Sequence, residues 1–284
     1  LISRSLRKDM ETLLGDQQLA NAEIVARSID QDFRDRLDAL RRVAQGLAPT
    51  IPDGAVAVQR ALEEQPIVQA LFNGGITVYS PDGTAIADVL ATTGQPGVNY
   101  MDIDVVAAAL KEGRTTISRP VIGKKLNSPA FGMGVPIRDP QGRIIGSLAA
   151  VVNLDLPSFI ENLSASRDPV HGTYLLVAPQ HRIVVTSSNR ERIMEVLPPP
   201  GVNPGIDKAI DGFEGSMVLI NPSGVEVLVS IKLIPSAGWY LAVALPTEKA
   251  FAPILAMQQR LFGTALLLTL LIGAAVWWLL QRQL

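Results

Sequence analysis

The sequence contains no cysteine, which excludes a disulfide framework, a thiolate metal site and a thiol nucleophile. Histidine is nearly absent too. The two present, His171 and His181, have neither HxxxH nor HExxH spacing and read as surface residues rather than a metal pair. A net charge of −2 argues against a general nucleic-acid binder. Aromatic residues make up only 5%. No nucleophile–base pairing stands out, so the segment reads as non-enzymatic and calls for no cofactor or metal. Asp102 and Asp104 do not share a helix face, because residues two apart point in different directions. They read as an N-cap and a solvated or pocket-facing acid rather than an acid/base pair. Gly132 and Gly134 form a GxG inside a strand pattern. No helix or Lys-Ser/Thr follows, so close backbone approach is expected there and not a phosphate loop.

Long apolar runs are scarce, with one exception. Residues 261–280 (LFGTALLLTLLIGAAVWWLL) carry no charge. At 1.5 Å per residue this is about 30 Å of helix, enough to cross a bilayer core. Arg260 and Arg282 bracket it, and Trp277 and Trp278 lie near one end, where indole rings favour the interface. A transmembrane helix is expected over 261–280, fed by a linker helix over 247–260. The chain begins at Leu1 without a Met and stops a few residues beyond this stretch. It is therefore expected to be a piece of a longer protein, with a first membrane helix and an output domain lying outside it.

Residues 1–48 contain no proline and one glycine before position 46, Gly15. Apolar residues recur there at helical spacing, among them Val25, Ile29, Phe33, Leu37, Leu40 and Ala44. The stripe does not hold a strict heptad, which favours a spine lying along stacked domains over a coiled coil. Pro49, Pro52 and Gly54 end it. Residues 49–160 then read as helix, helix, strand, strand, a helix over 102–112, and three strands. Residues 116–122, 130–137 and 144–154 are those strands, joined by turn residues such as Asp139-Pro140-Gln141-Gly142. After a connecting helix over 157–167, residues 161–246 repeat the pattern with a hairpin about 179–181, a short helix over 206–210 and three closing strands. The fold class is α+β: a long N-terminal helix and two PAS-like antiparallel-sheet units, followed by the membrane helix.

Charge singles out one region. Between Lys111 and Arg143 lie seven basic residues against two acidic ones. Most form a solvated face. Arg119 and Lys124 flank a strand that turns over the 102–112 helix, at the rim of the cavity such a unit encloses, where a guanidinium fork suits a carboxylate. Tyr79, Tyr100, Phe131 and Met133 are candidate walls, and Asp102 a candidate polar contact. For each, core packing is at least as good a reading.

The segments Arg119-Pro120-Val121-Ile122-Gly123, Gly134-Val135-Pro136-Ile137-Arg138-Asp139-Pro140-Gln141-Gly142 and Ile145-Gly146-Ser147-Leu148 resemble the strand–turn–strand signature of double Cache sensor modules. Thr173-Tyr174-Leu175-Leu176 and Ala237-Gly238-Trp239-Tyr240 match the second unit less sharply. The resemblance spans nearly the whole chain. It implies the extracytoplasmic sensor of a bacterial inner-membrane receptor, with residues 1–258 in the periplasm and a small ligand in the membrane-distal unit. It also implies a homodimer and a kinase, cyclase or chemoreceptor output domain. A membrane-anchored structural or partner-binding module is the alternative. Relatives that bind amino acids carry an Arg and aromatics at the start of the pocket helix and an Asp in the last strand. Here those places hold Ile103, Val105, Val106 and Val151, so an organic acid is the expected ligand and an amino acid is disfavoured.

Overall fold

A computed structural model describes residues 2–89, 96–123, 126–156 and 172–250, together with 263–264, 268–274, 277 and 281. The expected connecting helix over 157–167 lies outside these residues, as does half of the expected membrane helix. Among the described residues no helix is long and apolar enough to cross a membrane. The linker is described only as far as 250 and is helical from Thr247.

The spine is α1 (Ile2–Leu47), 46 residues long, or about 69 Å. Its surface carries the acid-before-base pairs Glu23–Arg27, Asp30–Arg34 and Asp32–Arg36 at i,i+4, the order that favours a helix. Its opposite face is apolar: Ala22, Ala26, Ile29, Phe33, Leu37, Leu40, Ala44 and Leu47 are all buried. A proline-containing 3-10 turn, Ala48–Asp53, ends it. Gly54 then takes φ +90°, which other residues rarely adopt. α2 (Ala55–Glu63) and α3 (Pro66–Leu71) follow. Arg36 ties the spine to this region. It pairs with Asp32, donates to the Leu71 carbonyl and lies over the Phe72 ring at 5.7 Å.

The first unit contains β1 (Ile76–Tyr79), β2 (Ala85–Val89), α4 (Asp104–Lys111), β3 (Thr116–Ile117), β4 (Val121–Ile122), β5 (Pro129–Arg138) and β6 (Ile144–Asn153). Its sheet runs β2-β1-β6-β5-β3, with β4 also pairing β5. The strand expected over 116–122 is therefore two short ones. Pro120 has no N–H to give the ladder; just before it, the Ser118 N–H still donates to the Gly132 carbonyl, but the Gly132 N–H turns to the Ser118 Oγ, both at 2.8 Å.

The second unit contains β7 (Thr173–Ala178), β8 (Ile183–Ser187), α5 (Pro204–Ile210), β9 (Gly215–Ile220), β10 (Glu226–Ile234) and β11 (Trp239–Pro246). Its order, β8-β7-β11-β10-β9, repeats that of the first sheet. Asn203 caps α5, its side chain accepting from the N–H groups of Gly205 and Ile206.

The spine packs on both sheets. One core joins α1 to Val78, Phe131, Met133 and Leu148 of the first unit and to Leu176, Trp239 and Leu241 of the second. At its centre Phe33, Phe131 and Trp239 meet edge to face, with centroids 5.2–5.8 Å apart. Nearer its start, the spine touches the second sheet. A Cβ on Gly15 would lie 2.9 Å from the Ser216 Cβ, so glycine lets the helix approach. Ser216 Oγ donates there to the Gly15 carbonyl at 2.7 Å.

Candidate ligand-binding site

Ladder register assigns the two faces of the first sheet, since side chains alternate along a strand and cross-strand partners share a face. Ile76, Val78, Leu148, Ala150, Phe131 and Met133 belong to the face toward α1. On the other face Thr77 stands opposite Asp88 and Ala149, Ala149 opposite Gly134, and Gly134 opposite Thr116. Tyr79 stands there opposite Ser147.

α4 covers this second face. Val105 and Val106 pack against Tyr79, Ala85 and Ala149, with Tyr100 and Leu110 at the edge. The approach is closest at Gly134, where a Cβ would lie 2.8 Å from the Val105 carbonyl oxygen. Gly132 lies under the Val105 side chain. The close approach expected at this GxG is made by a helix backbone, and any side chain at Gly134 would displace it.

Polar groups gather toward β1, β2 and β6. Thr77 Oγ1 donates to Asp88 Oδ1 at 3.1 Å. Tyr79 shares a hydrogen bond with Thr77 and meets the Tyr100 ring edge-on at 5.7 Å. Burial pushes the Tyr79 hydroxyl well above its usual range. The Thr77 hydrogen bond opposes this, and Tyr100 and Asp88 add to it. Tyr79 therefore stays protonated. Ser147, opposite Tyr79, is wholly buried and its Oγ has no partner among the described residues; Thr116 Oγ1, on the same face near the far edge, has none among them either. A buried hydroxyl without a partner costs about 1–3 kcal/mol, so this face has hydrogen-bonding capacity that the described residues leave unused.

The expected site residues divide accordingly. Tyr79 and Tyr100 come together on the α4 face. Arg119 stands at the N-terminal end of α4, its Nε 3.9 Å from Asp104 Oδ2, with both side chains exposed. Its ion pair is too open to contribute much stability. Asp102 caps nothing. α4 begins at Asp104 with Ile103 as N-cap, which leaves Asp102 exposed in the preceding turn. Lys124 lies outside the described residues, as does His171. Phe131 and Met133 are corrections: their odd positions on β5 aim them at α1, into the core. Sequence reasoning missed Thr77, Asp88 and Ser147. The signal was an acid inside the apolar strand AIADV and the alternation of ITVYS, which puts Thr77 and Tyr79 on one face.

The Cache domain profile (dCache_1) matches residues 2–254. The chain belongs to the Cache domain family. It is a sensor module of the receptor type, built to bind small ligands. No curated protein matches it. Among solved structures, the ligand-binding domain of Mlp24 with asparagine is 20% identical with a TM-score of 0.66, covering 88% of this chain and 99% of that one. The ligand-binding domain of the Pseudomonas aeruginosa PAO1 amino acid chemoreceptor PctB, in complex with L-Arg, is 19% identical with a TM-score of 0.66, covering 84% and 97%. The extracellular domain of the putative histidine kinase mmHK1S-Z2 is 13% identical with a TM-score of 0.67, covering 84% and 100%. These Cache-fold structures correct the expectation that set amino acids aside in favour of organic acids, because two of the three hold an amino acid. Ile103, Val105, Val106 and Val151 exclude charged anchors at those four positions and nowhere else.

Proposed function

We propose that this Cache module is the extracytoplasmic sensor of a transmembrane receptor and binds an amino acid on the α4 face of its first unit. The observation that carries this reading is the polar corner of Thr77, Tyr79, Asp88 and Ser147 on the sheet face that α4 partly covers. Pockets for small molecules pair apolar walls with a few placed polar groups. Asp88 takes the ligand ammonium, a charge-assisted contact. The hydroxyls of Tyr79 and Ser147 bond its carboxylate, and Tyr100 closes the side. Residues 261–280 anchor the module as a transmembrane helix, supported by their length and lack of charge. A ligand acts by favouring the arrangement of α4 and sheet that it binds better, and the spine, packed on both sheets, carries that preference toward the membrane.

Isothermal titration of the chain against the standard amino acids and GABA tests this. At least one compound is expected to bind. Asp88→Asn is expected to weaken that binding about ten- to a hundredfold, as for a lost hydrogen bond to a charged group. Its backbone N–H, which donates to Gln59 Oε1 at 2.9 Å, is untouched by the change. Unaltered affinity in Asp88→Asn would remove Asp88 from the site.

A further inference from the structure

We infer that the second unit carries a ligand site of its own, a cleft between its sheet and α5 that takes a short-chain aliphatic carboxylate. This site is separate from the first unit's and does not rest on the ligand proposed there. The cleft leaves about 60 Å³ of free space between its walls, room for a few methylene-sized groups, and opens to solvent. Its floor is the inner face of the sheet, with Val177 and Val229 from neighbouring ladders, and its wall is Ile206 and Ala209 of α5. These side chains are buried and wholly apolar, so the body of an occupant must be aliphatic.

Polar chemistry enters the lining through Arg192 and Asn221. Arg192 gives Nε and Nη2 to the Glu195 carboxylate, at 2.5 and 3.1 Å. Its Nη1 has no acceptor among the described residues. Asn221 accepts through Oδ1 from the N–H groups of Ser223 and Val225 at 3.0 and 2.9 Å, and its Nδ2 likewise has no acceptor among them. Two unused donors, one on a guanidinium, beside an aliphatic floor fit an acid headgroup with a hydrocarbon tail. The positive charge reaches into the cleft: burial pushes the Tyr240 hydroxyl up, and the fields of Arg182 and Arg192 pull it back down. The Glu195 and Asp207 carboxylates, paired with Arg192 and Arg182, offset part of that field, which favours a monoanion over a more highly charged acid.

The test is titration of the 284-residue chain in lipid nanodiscs with straight-chain carboxylates from acetate to octanoate and with alcohols of matching length. Affinity is expected to peak at an intermediate chain length, with each alcohol at least tenfold weaker than its acid. Arg192→Gln is expected to weaken the best acid about ten- to a hundredfold. Ala209→Phe, which fills the cleft, is expected to abolish binding. Asp88→Asn is expected to leave it unchanged, which separates this site from the first unit's. Circular dichroism checks that each variant folds; if Ala209→Phe does not, Arg192→Gln carries the test. No binding across the series, equal binding of acids and alcohols, or full affinity in Arg192→Gln would each overturn the proposal.

Discussion

Phe131→Ala is expected to lower the stability of the chain by about 3–5 kcal/mol, the usual loss when a buried aromatic is cut back to a methyl group. Phe131 is 1% exposed and meets both Phe33 of the spine and Trp239 of the second unit edge to face. No other ring cluster among the described residues joins the spine to both units, so its loss loosens all three at once. Chemical denaturation followed by circular dichroism checks this, with a single transition moving to lower denaturant. The result also decides between two roles for Phe131. A pocket wall would change ligand affinity with little loss of stability. A core residue changes stability first, and ligand affinity only as far as the fold is lost.

The second large effect is expected at Gly134. In Gly134→Ala the new Cβ would meet the Val105 carbonyl oxygen at 2.8 Å and the Val105 Cβ at 2.9 Å. The first of these is backbone, so no rotamer change relieves the contact, and α4 must lift. Overpacking of this kind costs about 1–3 kcal/mol. In a chain of this size that is a fall of roughly 2–4 °C in melting temperature per kcal/mol. α4 also roofs the proposed ligand site, so the dissociation constant is expected to change by about tenfold or more, equivalent to about 1.4 kcal/mol. Gly46→Ala is the control. A Cβ there meets nothing within 4 Å, and alanine is favoured in a helix by about 1 kcal/mol, so stability is expected to hold or rise. A Gly134→Ala protein with unchanged melting temperature and affinity would show that α4 is not held against β5 as described.

Much of this architecture is legible in the sequence. The spine announces itself through forty-odd residues without proline and an apolar stripe at helical spacing. The two sheets follow from turn residues at the strand joints, and the repeat follows from its recurring order. The site is less legible, for a physical reason. In a strand buried on both faces, apolarity does not say which face a residue occupies. Phe131 and Met133 look like walls because they flank Gly132 on a pocket-forming strand. The glycines, not the large residues, mark the α4 face, since they are small where the helix comes down. Thr77, Asp88 and Ser147 are inconspicuous beside the basic stretch around Arg119, whose side chain is exposed. The reading against amino acids fails for a similar reason. It rests on four apolar side chains, and a pocket that lacks charge at four positions can still carry its polar groups on other strands.

Binding of an amino acid beneath α4 in the first unit is tested most directly by hydrogen–deuterium exchange of the chain, with and without a saturating amino acid that titration shows to bind. Slowed exchange is expected in α4 and in the N–H groups of β1, β2 and β6 around Thr77, Asp88 and Ser147, with β9 and β10 at the far end of the second sheet changed little. Slowed exchange confined to the second unit, with α4 unaffected, would contradict that binding mode.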